Sequence, residues 1–157
     1  MKAFHFPLHA LLTLREQKEQ TALETYARSL QAERQAREQA AAAERELSRN
    51  WSHWQDILKQ GTAAENIDRL RLHCVNLQET VNDRQRDWRQ AQQVLLQHHQ
   101  AFLEAKKERE IVEKYRDKLQ RQHGLELQKM EQKMLDDLAC ARAARGPETP
   151  SEPGNSL

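Results

Sequence analysis

The residues best suited to chemistry in this sequence are its histidines, because imidazole nitrogens bind metals and transfer protons near neutral pH. His5 and His9 are spaced i, i+4. A metal site needs several ligands, and no cysteine or acidic cluster accompanies this pair or the adjacent His98 and His99. The pattern favours ordinary surface histidines, and we expect no metal and no other cofactor.

The other candidates for catalysis are isolated in the sequence. Asp136 and Asp137 are neighbouring carboxylates, but general acid–base catalysis requires a concave, partly dry pocket. Cys74 and Cys140 form neither a CxxC motif nor a Cys/His ligand spacing. The four glycines are too scattered to build a phosphate-binding loop. The sequence therefore predicts a protein that is not an enzyme.

Long helices must position these residues, because almost nothing in the chain stops a helix. Of the 157 residues 31% are charged and only 5% aromatic, which is too little aromatic bulk for a large core. Between Pro7 and the pair Gly146-Pro147 the helix-breaking residues are Gly61 and Gly124 alone. Residues with high helix propensity make up most of the sequence between these breakers, so sheet architectures are excluded.

The boundaries follow from these breakers. Pro7 suits a first helical turn, and Thr62 and Glu65 have the spacing of a capping box after Gly61. We predict a helical hairpin over residues 1–145, with a first helix over about 7–59, a turn at about 60–62 and a second helix over about 63–144. Residues 146–157 are rich in Pro, Ser and Glu and are predicted to be a disordered tail.

Apolar residues alternate at steps of three and four along the second helix, from Ile67 to Val112. The first helix has a weaker matching series from Leu12 to Leu58, which Glu33 interrupts. A short turn makes the two helices each other's simplest partner, with position i opposite roughly position 122 − i. The predicted fold is all-α, an antiparallel two-helix coiled-coil hairpin with a C-terminal helix extension.

The extension carries an apolar stripe that the first helix is too short to cover. Its members recur at helical spacing, and they are Tyr115, Leu119, Leu127, Met130, Met134 and Leu138. An uncovered stripe of this kind indicates either another protein as partner or self-association of the chain. Both interpretations remain open on these residues.

Charge and hydropathy restrict the possible partners and location. The net charge of +1 gives no whole-chain reason to bind nucleic acid or anionic lipid. The apolar run over residues 8–14 is short, contains His9 and leads directly into charged residues, unlike a secretory signal. No stretch reaches the length of a membrane span. We expect a cytoplasmic protein that recognises its partners locally.

Two stretches of the sequence resemble a known family. Residues 4–19 read FHFPLHALLTLREQKE, with an aromatic-x-aromatic-Pro-Leu start followed by Leu-x-x-Leu-Leu-x-Leu-Arg and Lys-Glu. Residues 131–139 read EQKMLDDLA, with a Gln-Lys-x-x-Asp-acidic-apolar-Ala pattern. Both resemble the two ends of the flagellar export protein FliJ family, and the resemblance spans about residues 4 to 143.

The resemblance implies a two-helix coiled coil similar to the central stalk subunit of rotary ATPases. Family members of this kind lie in the pore of the hexameric flagellar export ATPase and stimulate it. They also contact the export gate protein and export chaperones. The implied location is the cytoplasmic face of the export apparatus, with peripheral membrane association only. The low net charge already argues against nucleic acid as a partner.

The resemblance also suggests which residues contact each partner. The residues expected to face the ATPase are Phe4, Phe6, Leu8, Leu11, Arg15, Lys129, Lys133, Met134, Asp136 and Leu138. The residues expected to face the export gate lie nearer the turn, and they are Trp51, Trp54, His73, Leu77 and Arg84. Two alternatives remain, a structural homodimeric coiled-coil scaffold and the equivalent stalk of a virulence type III secretion system.

Overall fold

The computed structural model describes residues 4–146; residues 1–3 and 147–157, which hold nearly all of the predicted tail, lie outside the described residues. Two helices account for the regular structure of this part of the chain: α1 (His9–Gln60) and α2 (Ala64–Arg145). They pack together without any strand between residues 4 and 146, which confirms the predicted all-α helical hairpin. Neither helix includes a stretch apolar and long enough to cross a membrane in the described sequence.

The start of α1 differs from the prediction by two residues. Pro7 and Leu8 form a turn, and the His9 amide donates a hydrogen bond to the Phe6 carbonyl oxygen at 3.3 Å. This three-residue step is tighter than the four-residue step of an α-helix. Pro7 therefore precedes the regular helix and does not form its first turn.

The connection between the helices contains a glycine in a left-handed conformation. Gly61 has a φ of 81°, which a residue with a Cβ atom adopts only at a cost. The amide of Ile67 donates to the carbonyl of Ala63 at 3.3 Å, so Ala63 is the N-cap of α2. Thr62 lies one residue before that cap, and its hydroxyl accepts a hydrogen bond from Asn66 Nδ2 at 3.2 Å. The predicted capping box with Glu65 is therefore wrong.

The described residues fall into two compact units. The first unit is Leu11–Glu110, and the second comprises residues 4–10 and 111–146. In the first unit the pairs across the helices are Arg15 with Glu108, Tyr26 with His99, Glu33 with Trp88 and Asn50 with Cys74. These partners confirm the antiparallel register that the apolar series predicts.

The core of the first unit is a thin seam. Its buried apolar side chains are Leu12, Ala40, Cys74 and Val81, of which the last two belong to the predicted α2 series. Ser29 and Glu33 are also buried, and no large side chain in the described part of the chain is less than 2% exposed. A single line of buried side chains therefore holds the two helices together, and this line includes polar groups.

In the second unit, the residues before α1 pack on α2. The Phe6 ring, 7% exposed, lies against Tyr115 with ring centroids 6.3 Å apart. The Phe4 ring lies against His123 at 5.6 Å. Beyond these contacts, every residue of α2 from 128 to 145 is exposed.

Candidate partner-binding surfaces

The predicted ATPase-facing residues near the start of the chain occupy different environments. Leu8 is 39% exposed, whereas Phe6 is almost covered by the chain itself. Phe6 therefore positions its neighbours and offers little surface of its own. In the first unit, Leu11 is half-buried, and Arg15 forms an ion pair with Glu108 across the helices.

The predicted ATPase-facing residues near the end of α2 are all accessible. Lys129, Lys133, Met134, Asp136 and Leu138 are exposed. The apolar members belong to a longer series that we name the distal apolar face, and it consists of Leu127, Met130, Met134 and Leu138. Steps of three and four place these side chains on one side of the helix. Three of the four are exposed by more than half of their surface.

Cationic side chains follow another side of the same part of α2. This basic stripe consists of Lys114, Lys118, Arg121, Lys129 and Lys133, and none of them forms an ion pair within residues 4–146. Lys129 and Lys133 directly precede Met130 and Met134, so on these turns the cations lie about 100° around the helix from the apolar side chains. Its first three members border a groove of about 340 Å³. The segment therefore presents cationic and apolar side chains on neighbouring sides of the helix.

The predicted gate-facing tryptophans form a surface in the first unit. The Trp51 and Trp54 rings lie 4.9 Å apart between centroids, and Trp51 is 44% exposed. Partial exposure of the pair agrees with the expectation that a two-helix seam cannot cover two indoles. The Trp54 Nε1 atom is buried without a hydrogen-bond partner in the described part of the chain.

The α2 residues beside these rings differ from the predicted ones. A groove of about 310 Å³ is lined by both tryptophans and by Arg71, Cys74, Val75 and Gln78. Neither His73 nor Leu77 lines it; His73 is exposed and Leu77 is half-buried on neighbouring faces of α2. One residue of α2 corresponds to about 100° of rotation, so a small error in register selects the wrong face.

Arg84 also lies away from the tryptophan groove. Its guanidinium donates a hydrogen bond to Gln39 Oε1 across the helices at 3.1 Å. The same group lies 3.8 Å from the Asp87 carboxylate. Arg84 thus belongs to the polar contacts between the helices. Of the predicted gate-facing residues, only Trp51 and Trp54 lie together at the groove.

One polar contact of the seam was not predicted from the sequence. Trp88 Nε1 donates a hydrogen bond to Glu33 Oε1 at 2.7 Å, and Glu33 is only 8% exposed. Glu33 looked like an interruption of the α1 series. The contact could have been predicted, because the predicted register places Glu33 opposite the position next to Trp88.

The described residues offer little to catalysis. Residues 4–146 contain no group of three or more His, Cys, Asp or Glu side chains arranged to hold a metal ion. The grooves described above are open depressions on helix surfaces. What the described residues present is a set of exposed apolar and charged surfaces.

Comparison with known proteins identifies the family. The family model described as flagellar FliJ protein matches residues 4–148, which is nearly the whole chain. Comparison with curated proteins and with solved structures found no match. The family match confirms the resemblance of the two chain ends. The chain belongs to the flagellar FliJ protein family, a family of non-catalytic components of flagellar export.

Proposed function

We propose that this protein is the central stalk of a flagellar type III export ATPase. In this role it binds the hexameric ATPase, stimulates ATP hydrolysis, and connects the ATPase to the export gate protein and to export chaperones. It acts at the cytoplasmic face of the export apparatus without entering the membrane. The observation that carries the proposal is the end of α2, which is exposed on all sides from residue 128 to residue 145 and bears the distal apolar face.

Exposed apolar side chains on this segment provide binding energy for the ATPase. Met130, Met134 and Leu138 are 63%, 62% and 56% exposed. Burying one such side chain is worth up to about 1.5–3 kcal/mol before the costs of association. A continuous face of this kind lets several side chains contribute to binding together.

The stalk regulates the ATPase through unequal contacts. A single helix within a ring of six subunits cannot contact all six in the same way. A subunit whose closed form makes better contacts with the helix is favoured in that form, and differential contact energy is all that coupling requires. Bond breaking in ATP belongs wholly to the ATPase.

The tryptophan groove supplies the surface for the export gate. Partly exposed tryptophans are the side chains most enriched among residues that dominate binding energy. Trp51 and Val75 are 44% and 48% exposed at this groove. We expect an apolar side chain of the gate protein to enter this groove.

Truncation after Gly124 tests the role of the distal segment. The shortened chain keeps the contacts of Phe4 and Phe6 with His123 and Tyr115. We expect unchanged melting of the hairpin by circular dichroism, and loss of both ATPase binding and stimulation. Stimulation equal to that of the full chain would place the functional surface elsewhere.

A point-variant pair refines this test. Met130→Ser with Met134→Ser removes apolar surface from the distal apolar face. The matched control is Leu72→Ser with Leu96→Ser, because these leucines are 62% and 67% exposed but lie in the first unit. Only the first variant should weaken ATPase binding.

The distal apolar face also supports a second candidate, a homodimeric scaffold. A dimer formed through this face would have a molar mass of about twice 18.4 kDa by light scattering at low micromolar concentration. The stalk proposal requires a monomer under the same conditions. A stable dimer that the truncation abolishes would favour the scaffold.

A further inference from the structure

We propose that the polar contacts of the seam make the pairing of α1 with α2 selective, so that the two helices of one chain pair with each other and not with the same helix of a second copy. This inference concerns the hairpin itself and does not depend on the partners proposed above. It gives Glu19, Glu33, Trp88 and Arg109 a role in choosing the pairing, in addition to any role in stabilising it.

Four hydrogen bonds between the helices run in one direction, from a donor on α2 to an acceptor on α1. The α2 donors are Arg84, Gln85, Trp88 and Arg109, and the respective α1 acceptors are Gln39, Glu44, Glu33 and Glu19. Two contacts at the ends of this block run the other way, from Asn50 to Cys74 and from Arg15 to Glu108. Between those ends, α1 presents acceptors from residue 19 to residue 44, and α2 presents the matching donors.

Two of the four contacts lie in the covered part of the seam. Glu33, which accepts from Trp88 Nε1 at 2.7 Å, is 8% exposed. The side chains of Glu19 and Arg109 are 19% and 22% exposed. A charged group in such a place is costly unless a group that can pair with it lies opposite. These contacts therefore disfavour any pairing that does not bring the acceptors to the donors.

Apolar burial alone does not distinguish α1 from a second copy of α2. The spacing of three and four along α2 is the one by which helices also form homodimeric coiled coils. Two α2 helices would leave the donors of Trp88 and Arg109 without the acceptors that α1 provides. Two α1 helices would leave the carboxylates of Glu19 and Glu33 without the donors of α2. The polar contacts thus penalise both pairings of like helices, as buried polar groups do in coiled coils of defined composition.

The test removes the polar groups of the covered contacts and keeps apolar surface in the seam. The seam variant carries Glu19→Leu, Glu33→Leu, Trp88→Phe and Arg109→Leu. The matched control makes the same kinds of change at exposed positions of the first unit, as Glu46→Leu, Glu79→Leu, Trp51→Phe and Arg34→Leu. Both variants lose two acids and one cation and gain three leucines, so a difference between them comes from position. Light scattering gives the molar mass over a range of concentrations, and circular dichroism gives the helix content.

We expect the wild type and the control to be monomers of 18.4 kDa. The seam variant should remain helical, because apolar replacement of a buried polar pair is often neutral for stability. It should form dimers at a concentration about tenfold or more below that needed by the wild type or the control. A helical seam variant that stays monomeric overturns the inference. Equal self-association of the control assigns the effect to the added leucines, and loss of helix from the seam variant assigns the contacts to stability alone; either result also overturns it.

A charge exchange tests whether a retained pair keeps the selectivity. Glu19→Arg with Arg109→Glu in one chain keeps opposite charges at this contact and reverses its direction. We expect this variant to be a monomer with a melting temperature close to that of the wild type. An exchange variant that dimerises as readily as the seam variant contradicts the inference, because it still has the polar pair.

Self-association through the distal apolar face is a separate event. Truncation after Gly124 removes that face and leaves the four seam contacts in place. The dimer of the seam variant should survive this truncation. A dimer that disappears on truncation forms through the end of α2, and that result refutes selection by the seam.

Discussion

The hydrogen bond between Trp88 and Glu33 should make a measurable contribution to the stability of the hairpin. Trp88→Phe keeps an aromatic ring in the seam but removes the N–H group that donates to Glu33 Oε1 at 2.7 Å. Glu33 is 8% exposed, so water cannot readily replace the lost donor. The substitution therefore leaves a buried carboxylate without this partner.

The size of the effect follows from burial and charge. A hydrogen bond to a charged group contributes about 1.5–3 kcal/mol, and the smaller ring buries less apolar area. We expect Trp88→Phe to lower the free energy of unfolding by about 2–4 kcal/mol. Glu33→Gln keeps an acceptor oxygen for the indole and should cost about 1 kcal/mol. Trp88→Phe combined with Glu33→Leu removes both polar groups and should recover much of the loss.

Urea unfolding followed by circular dichroism measures these differences. The wild type, Trp88→Phe, Glu33→Leu and the double variant form a double-mutant cycle. Trp51→Phe is the control, because it makes the same chemical change at a ring that is 44% exposed. A cost for Trp88→Phe no greater than that for Trp51→Phe would refute the reasoning. So would a double variant whose cost equals the sum of the single ones.

Three other predictions concern the turn, the chain start and the tryptophan groove. Gly61→Ala should destabilise the hairpin by about 1–2 kcal/mol, because φ is 81° at this position. Gly124→Ala, inside α2, should stabilise the hairpin by about 1 kcal/mol because alanine has the higher helix propensity. Urea midpoints equal to that of the wild type would contradict both predictions. Phe6→Ala should speed hydrogen exchange of the α2 amides around Tyr115 by removing a buried ring, and unchanged exchange would show that this packing adds no stability. Trp51→Ala should weaken binding to the export gate protein about tenfold or more with little change in melting temperature; a large fall in melting temperature with intact gate binding would assign the ring to the hairpin alone.

The hairpin could be predicted from the sequence because its two determinants are local or periodic. Gly61 marks the turn, and its φ of 81° explains why a residue without a Cβ atom is needed there. The three-and-four spacing on α2 predicts a seam, and Cys74 and Val81 of that series are buried. Once the turn is placed, symmetry fixes the register, as Arg15 opposite Glu108 demonstrates.

Features that depend on a single residue step were harder to predict. Moving the cap of α2 from Thr62 to Ala63 removes the expected capping box. A step of one residue also turns a helix by about 100°, which explains why Arg71 and Val75 border the tryptophans in place of the predicted neighbours. The spacing of apolar residues does not determine a helix boundary or a helix face to within one residue.

The candidate contact surfaces differ from an enzyme site because exposure of apolar residues does not by itself distinguish them from the rest of the surface. Where no large side chain is less than 2% exposed in the described part of the chain, an exposed apolar residue is ordinary; Leu96, at 67%, is as exposed as Met130. Exposure alone therefore cannot nominate a surface. The end of α2 stands out because its exposed apolar residues recur at regular helical spacing and cationic side chains border them. A regular apolar face bordered by cations is a stronger reason to test a segment for partner binding than an isolated exposed leucine is.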